Sequence, residues 1–290
     1  MFSTKSGASR LALLVIIGLV AAKITVTAIT GSVSILAQLM DSLLDLIAVT
    51  ITFFAINIAT KPADKEHPFG HGKVENISAV VQAVLIFTAA GIVIYSAIDR
   101  IVSGATIEMT EAGIGMMAIS VIVSILLSRH LFRVAKKTDS PALEAIAHNI
   151  AADVYSAAGV LVGLVILRLT GFDIIDPVLA LAVSVIIIWS ACKVMRKSFG
   201  GLMDVSLPED EENTIRSIIT SYGEKVKGFD NLRTRKAGSQ RHISFNLTMS
   251  SDTSLKEVHA ICYRIEQDIK AGLPNSTVTI HVEPADRESS

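Results

Sequence analysis

The sequence predicts an α-helical membrane protein: six transmembrane helices, then a small α+β domain ordered helix, strand, strand, helix, strand. Three observations carry this expectation. The 290 residues are 51% apolar and only 18% charged, with a mean hydropathy of +0.54, whereas soluble domains average about 25% charged residues. Six apolar segments reach the length of about 20 residues that a bilayer crossing needs. After residue 204 the apolar runs shorten and the charged fraction rises.

The apolar segments run near 10–30, 33–59, 77–102, 112–132, 141–169 and 174–198. The first has a basic flank but no A-x-A cleavage site, so it is expected to be a retained helix. Six crossings place both termini on one side of the membrane. Lys61, Lys65, Lys73, Arg129, Arg133, Lys136 and Lys137 fall in or beside the second-to-third and fourth-to-fifth connections. The opposite connections offer Arg100 and Arg168 with acidic Glu108 and Glu111. The positive-inside rule then puts both termini in the cytoplasm.

In the tail, EDEENTIRSIITSY reads as an amphipathic helix whose acidic first turn suits the positive end of the helix dipole. NLRTRKAG and RHISFNLTM alternate as two strands joined by a turn at Gly238. SLKEVHAICYRIEQDIKAGL returns to helical period, with Leu255, Val258, Ile261, Ile265 and Ile269 on one stripe and Gly272 just past the end. STVTIHVEP is a last strand, stopped by Pro284. The expected domains are therefore 1–204 in the membrane and 205–290 in the cytoplasm. A net charge of −1 gives no reason to expect nucleic acid as a partner. Cys192 and Cys262 form neither a disulfide framework nor a CxxC pair and read as structural thiols. No organic cofactor is expected.

Chemistry concentrates in three places. Asp41 and Asp45 lie one turn apart in the second apolar segment, and Asn149 and Asp153 repeat that spacing in the fifth. An acidic side chain at a bilayer centre costs about 2.5–3.5 kcal/mol on the insertion scale. Three such carboxylates are explained if facing helices converge them on a divalent cation. The alternative is pairing with Lys23 of the first helix, or a watery cavity without metal, but one lysine cannot neutralise three aspartates. The loop KPADKEHPFGHGKVE sets Asp64, His67 and His71 three and four residues apart, with Pro68, Gly70 and Gly72 turning the chain between them. Asp and His suit zinc and other borderline divalent ions; a solvated loop is the plain alternative. In the tail, His259, His281 and Glu283 could approach one another across the helix and the final strand, or be scattered surface groups. His130, His148 and His242 carry no functional reading.

GSVSILAQLMDSLLDL, ADKEHPFGHGKVE, the HNxxxD of the fifth helix and the GLMD at the end of the sixth resemble the cation diffusion facilitators across nearly the whole chain. The YiiP-like bacterial zinc and iron exporters, with magnetosome-membrane relatives, are the similar branch. The resemblance implies a homodimer of six-helix subunits in a bacterial inner membrane, with a metallochaperone-like, ferredoxin-like cytoplasmic domain. It implies a secondary transporter, not an enzyme, that exchanges one divalent metal ion (zinc, iron, manganese, cadmium or cobalt) for protons between inward- and outward-facing states. Carried onto this sequence, the transport site is Asp41, Asp45, Asn149 and Asp153, and a loop site is Asp64, His67 and His71. A charge interlock near the dimer axis is Lys73 with Asp204, and a cytoplasmic metal site is Asp230, Asn246, His259, His281 and Glu283.

Two departures matter. Zinc carriers usually have His where this chain has Asn149; His148 is adjacent, but about 100° of helical rotation per residue takes it off that face. An Asp/Asp/Asn/Asp shell is all oxygen, which favours Mn²⁺ or Fe²⁺ over Zn²⁺, Cd²⁺ or Co²⁺. Since Asn149 cannot titrate, proton exchange would fall on the crowded carboxylates. In the tail, Asp230 and Asn246 replace histidines, leaving a cytoplasmic site poorer in nitrogen and regulatory in role. Two rival classes are a non-transporting or hetero-oligomeric metal-responsive scaffold, and a membrane metalloenzyme. The second would need a positioned nucleophile or acid–base group beside an open metal position, which this site does not offer.

Overall fold

A computed structural model describes residues 3–30, 33–103, 111–170, 175–223 and 225–285. The chain forms two compact units, residues 1–199 and 200–290. The first is helical: α1 (Lys5–Thr30), α2 (Val33–Ala59), α3 (Lys73–Ser103), α4 (Glu111–Thr138), α5 (Pro141–Thr170) and α6 (Ile175–Leu202). Among the described residues, five of these are long and apolar enough to cross a membrane. The helix outside that set is α5, whose first half carries Glu144, His148, Asn149 and Asp153.

The helices also run past the apolar segments. α3 begins at Lys73, before the expected 77, and α4 continues to Thr138, taking Arg133, Lys136 and Lys137 into helix. Hydropathy marks the hydrocarbon layer, while backbone hydrogen bonding carries the helix on into the aqueous boundary. Asp139 (φ 53) ends α4 in the left-handed conformation, and Ser140 starts α5 by accepting from Leu143 N at 3.3 Å, with Pro141 as its first helical residue.

α5 is buried from several sides. Ala142, Leu143, Ile146, Ala147 and Ile150 pack with α1, α2 and α4, while Ala145 and Ala152 meet α3 and α6 in smaller clusters. These small side chains let neighbouring backbones come close where the bilayer offers no hydrophobic drive between helices. Large apolar residues such as Leu14, Ile17, Phe54, Ile122 and Leu126 point outward, as a lipid-facing surface requires.

The second unit holds α7 (Glu209–Thr220), β1 (Val226–Ala237), β2 (Gln240–Met249), α8 (Leu255–Gly272) and β3 (Ser276–Pro284). The sheet order is β1-β2-β3, antiparallel between β1 and β2 and parallel between β2 and β3, with α8 as the crossover. Strand β2 alternates, burying Ile243, Phe245, Leu247 and Met249 against Ile215 and Ile219 of α7 and Ile261, Ile265 and Ile269 of α8. Gly238 turns the hairpin at φ 61, as its sequence expects. Strand β1 starts at Val226, earlier than the alternation suggests, because a bulge between Asp230 and Arg233, with Asn231 at φ 52, breaks its period. Gly272 lies inside the last turn of α8, and Leu273 caps it. Ser254 caps the other end by accepting from Glu257 N. Arg241 forks onto Glu211, Nε to Oε2 and Nη2 to Oε1, both at 2.7 Å, and its Nη1 donates to Pro274 O at 3.1 Å. One buried guanidinium thus joins α7, β2 and the turn before β3.

Candidate metal centres

Inside the membrane unit, α2 and α5 bring Asp45, Asn149 and Asp153 together. Asn149 Nδ2 donates to Asp45 Oδ1 at 3.1 Å, and the Asp45 and Asp153 carboxyls lie within hydrogen-bonding reach of each other. A carboxylate only accepts, so the amide presents its nitrogen to Asp45 and keeps Oδ1 for another partner. Asn149 is buried and Asp45 half-buried, whereas Asp153 and Asp41 are exposed. Asp41 shares the helix face of Asp45 one turn away, but among the described residues Asp41, Asp45 and Asp153 do not form a tight group of three acidic or histidine ligands.

Lys23 does not ion-pair with these carboxylates. Its Nζ donates to Ser42 Oγ at 2.6 Å and to Gln38 O at 3.2 Å, and it acts on Asp45, Asp153 and Asp41 through space. His148 faces elsewhere: Nδ1 meets Ser190 Oγ of α6 at 2.7 Å, and its ring packs edge-on against Phe132 of α4 at 4.8 Å. It therefore does not substitute for Asn149.

Sequence reasoning missed the polar contacts around this site. Gln82 Nε2 donates to Ala48 O at 2.6 Å and to Thr52 Oγ1 at 2.9 Å, with Ser78 Oγ 3.4 Å beyond Thr52. Nearer the start of α3, buried Glu75 joins Lys5 of α1 at 2.6 Å and Ser140 at the start of α5. The available signal was lone polar residues within apolar runs, here Thr52, Ser78 and Gln82.

The loop group is the tightest acid–histidine cluster. Among the described residues, Asp64, His67 and His71 alone form a set of three whose ligand atoms all lie within 4.8 Å of one another. Asp64 Oδ1 accepts from the His67 and Glu66 amides at 2.7 and 3.0 Å and lies 3.4 Å from His67 Nδ1; Oδ2 lies 3.3 Å from His71 Nε2. The two rings sit 4.6 Å apart at 45°, and Gly70 at φ 79 makes the turn that brings them round. The His67 amide, helped by both histidines, holds the Asp64 carboxyl below its ordinary value, keeping it anionic.

On the sheet of the second unit, Asp230, Asn246 and His281 are cross-strand neighbours in one row. Asn246 Nδ2 donates to Asp230 Oδ1 at 3.0 Å and to Glu283 Oε1 at 3.4 Å, and His281 Nε2 lies 3.6 Å from Glu283 Oε1. His259 is placed apart, in a groove of α8 and β3 lined by Cys262, Glu266, Val278 and Ile280. Strand alternation puts Val278 and Ile280 on the sheet face opposite His281. Burial pushes the Cys262 thiol up, as suits a structural cysteine. Lys73 opens α3 in the first unit, and Asp204 (φ 55) pairs with Arg235 Nη1 at 3.2 Å in the second.

Similarity to known proteins covers both units. Residues 9–203 match the family described as the cation efflux transmembrane domain, and residues 207–285 match the cation efflux protein cytoplasmic domain. The chain is 33% identical over 268 residues to an uncharacterized transporter of Synechocystis sp., covering 92% of this chain and 86% of that one. It is 33% identical over 255 residues to the cation-efflux pump FieF of Serratia proteamaculans, covering 88% and 84%. A solved metal-bound C-terminal domain of the CzcD transporter from Thermotoga maritima aligns at 22% identity and a TM-score of 0.26, over 28% of this chain and 93% of that one. A multi-pass membrane transporter with a cytoplasmic C-terminal domain, and not an enzyme, this chain belongs to the cation efflux family.

Proposed function

We propose that this protein exports a divalent metal ion in exchange for protons by alternating access, with Mn²⁺ or Fe²⁺ favoured over Zn²⁺, Cd²⁺ and Co²⁺. The observation that carries the reading is the junction of Asp45 with Asn149 and Asp153 across α2 and α5, where carboxylates approach in the membrane and an amide oxygen is left available. Asp41, one turn along the same face, completes the shell. Such a shell is all oxygen, which is the basis of the metal preference. Two carboxyls in such proximity need a cation or a proton between them, so binding of the ion displaces the proton. The relative named as a cation-efflux pump supports efflux as the direction.

The remaining clusters are assigned supporting roles. Asp64, His67 and His71 form a second metal station in the cytoplasmic loop. Asp230, Asn246, His281 and Glu283 form a regulatory site in the cytoplasmic domain, which His259, set apart in the groove of α8 and β3, does not join. The protein works as a homodimer in a bacterial inner membrane with both termini in the cytoplasm. The test is metal-by-metal uptake into proteoliposomes with an internal pH dye. Parent protein should move Mn²⁺ or Fe²⁺ with coupled proton flux, Asp45→Ala should abolish it, and Asn149→His should shift preference towards Zn²⁺. Transport surviving in Asp45→Ala rejects the site, uncoupled flux rejects antiport, and an unchanged Zn/Mn ratio in Asn149→His rejects the metal preference.

A further inference from the structure

Lys23 is a cation inside the membrane unit, 7% exposed, on a helix that contributes none of the proposed ligands. A buried ammonium in a bilayer is costly and persists where the surroundings use its charge. Its two hydrogen bonds both go to α2, to Gln38 O at 3.2 Å and Ser42 Oγ at 2.6 Å. Gln38, Ser42 and Asp45 follow one another at four and three residues, so the ammonium is held on the stripe that ends at Asp45. Ser42 is also the immediate neighbour of Asp41. Asp45, Asp153 and Asp41 are the charges that act on Lys23.

We propose that Lys23 is the fixed counter-charge of the transport site, tethered by Ser42 just outside the ligand shell so that it tunes how tightly the ion is held. The inference rests on the transport-site reading above and adds a residue from α1 to it. One ammonium and one divalent ion together match the charge of Asp41, Asp45 and Asp153, so the loaded site changes its access without net charge. Asn149, being neutral, leaves that balance undisturbed. The same ammonium repels the bound ion, and this holds affinity low enough for release. Were the tether absent, the flexible lysine would fold onto the carboxylates and compete with the ion directly. Lys23 is thus a positioning residue, and Ser42 is what makes it one.

The experiment is calorimetric titration of MnCl₂ and ZnCl₂ into the full-length protein in lipid nanodiscs, with Asp45→Ala identifying the component due to the transport site. A nearby unit charge moves the binding of a single proton by about ten- to a thousandfold, and a divalent ion feels twice the potential. Lys23→Met should therefore tighten the Asp45-dependent component at least about tenfold and slow turnover in proteoliposomes. Ser42→Ala, which keeps the charge but frees it, should weaken the same component several-fold. Effects of opposite sign separate a counter-charge from a merely structural lysine, whose loss would weaken binding in both variants. Unchanged or weaker binding in folded Lys23→Met overturns the proposal, as does unchanged or tighter binding in Ser42→Ala. Should Lys23→Met fail to fold, Ser42→Ala decides alone. If Asp45→Ala removes no component from the parent titration, the transport-site reading fails instead.

Discussion

Asn149→Ala puts the metal-site geometry to its sharpest test. The amide of Asn149 does two things at once: Nδ2 donates to Asp45 Oδ1 at 3.1 Å, and Oδ1 is left to ligate. A hydrogen bond to a charged group contributes about 1.5–3 kcal/mol. Hydrogen-bonding partners that orient a ligand are worth about ten- to a hundredfold in metal affinity, so losing that bond should weaken Mn²⁺ binding by about that much, before the lost ligand is counted. Truncation also leaves a cavity on a buried face of α5, which can only add to the loss. The assay is Mn²⁺ titration of the full-length protein, with the Asp45→Ala variant as baseline. Asn149→Asp is the informative companion, because it keeps an oxygen ligand but sets a fourth carboxylate against Asp45. Its affinity should become much more pH-dependent than that of the parent, since the added carboxylate must ionise beside another. A Mn²⁺ affinity within about twofold of parent in Asn149→Ala would refute the reasoning.

Three further outcomes are expected. At the loop, the Asp64 carboxyl sits below its ordinary value, so its charge is present above the usual carboxylate range and is lost only as pH falls through the depressed value. Metal binding there should therefore keep its Asp64 ligand down through the usual carboxylate range and lose it only below that, and equilibrium dialysis of His67→Ala/His71→Ala should show the loop component gone. In the cytoplasmic unit, Arg241→Met leaves Glu211 without its forked partner at 2.7 Å, which should cost about 3–5 kcal/mol and lower the thermal transition of that unit in calorimetry. Phe245→Ala, at 2% exposure between α7 and α8, should cost about 3–5 kcal/mol in urea unfolding followed by tail-directed proteolysis.

The parts legible in the sequence are those the bilayer forces. Lipid demands long apolar runs, so the helices of the first unit announce themselves, α5 least plainly, and an aspartate inside such a run is costly enough to be seen singly. Thr52, Ser78 and Gln82 escaped because hydroxyls and amides cost far less than carboxylates, and because their significance lies in contacts between α2 and α3 that spacing along one helix does not reveal. The ends of α3 and α4 were hidden for a related reason: Lys73, Lys136 and Lys137 are helical but outside the hydrocarbon. In the tail, β1 concealed its first residues behind the Asp230–Arg233 bulge, since period two is the signal and the bulge interrupts it. Lys23 was visible as a charge but not as a tethered one. Its bonds to Ser42 and Gln38 cross from one helix to another, and only packing places them.

Packing also explains why this site sits where it does. α5 is ringed by alanines at 142, 145, 147, 151 and 152, small enough to bring α2 close on one side while α3, α4 and α6 close on the others. Close approach lets a short side chain such as asparagine span the gap to Asp45. It also turns His148 onto Phe132 and Ser190, where its imidazole holds α4, α5 and α6 together. The adjacent residues at 148 and 149 therefore divide the work by helix face. An imidazole is present one residue from the proposed site, yet the geometry spends it on packing and leaves that site with oxygen donors.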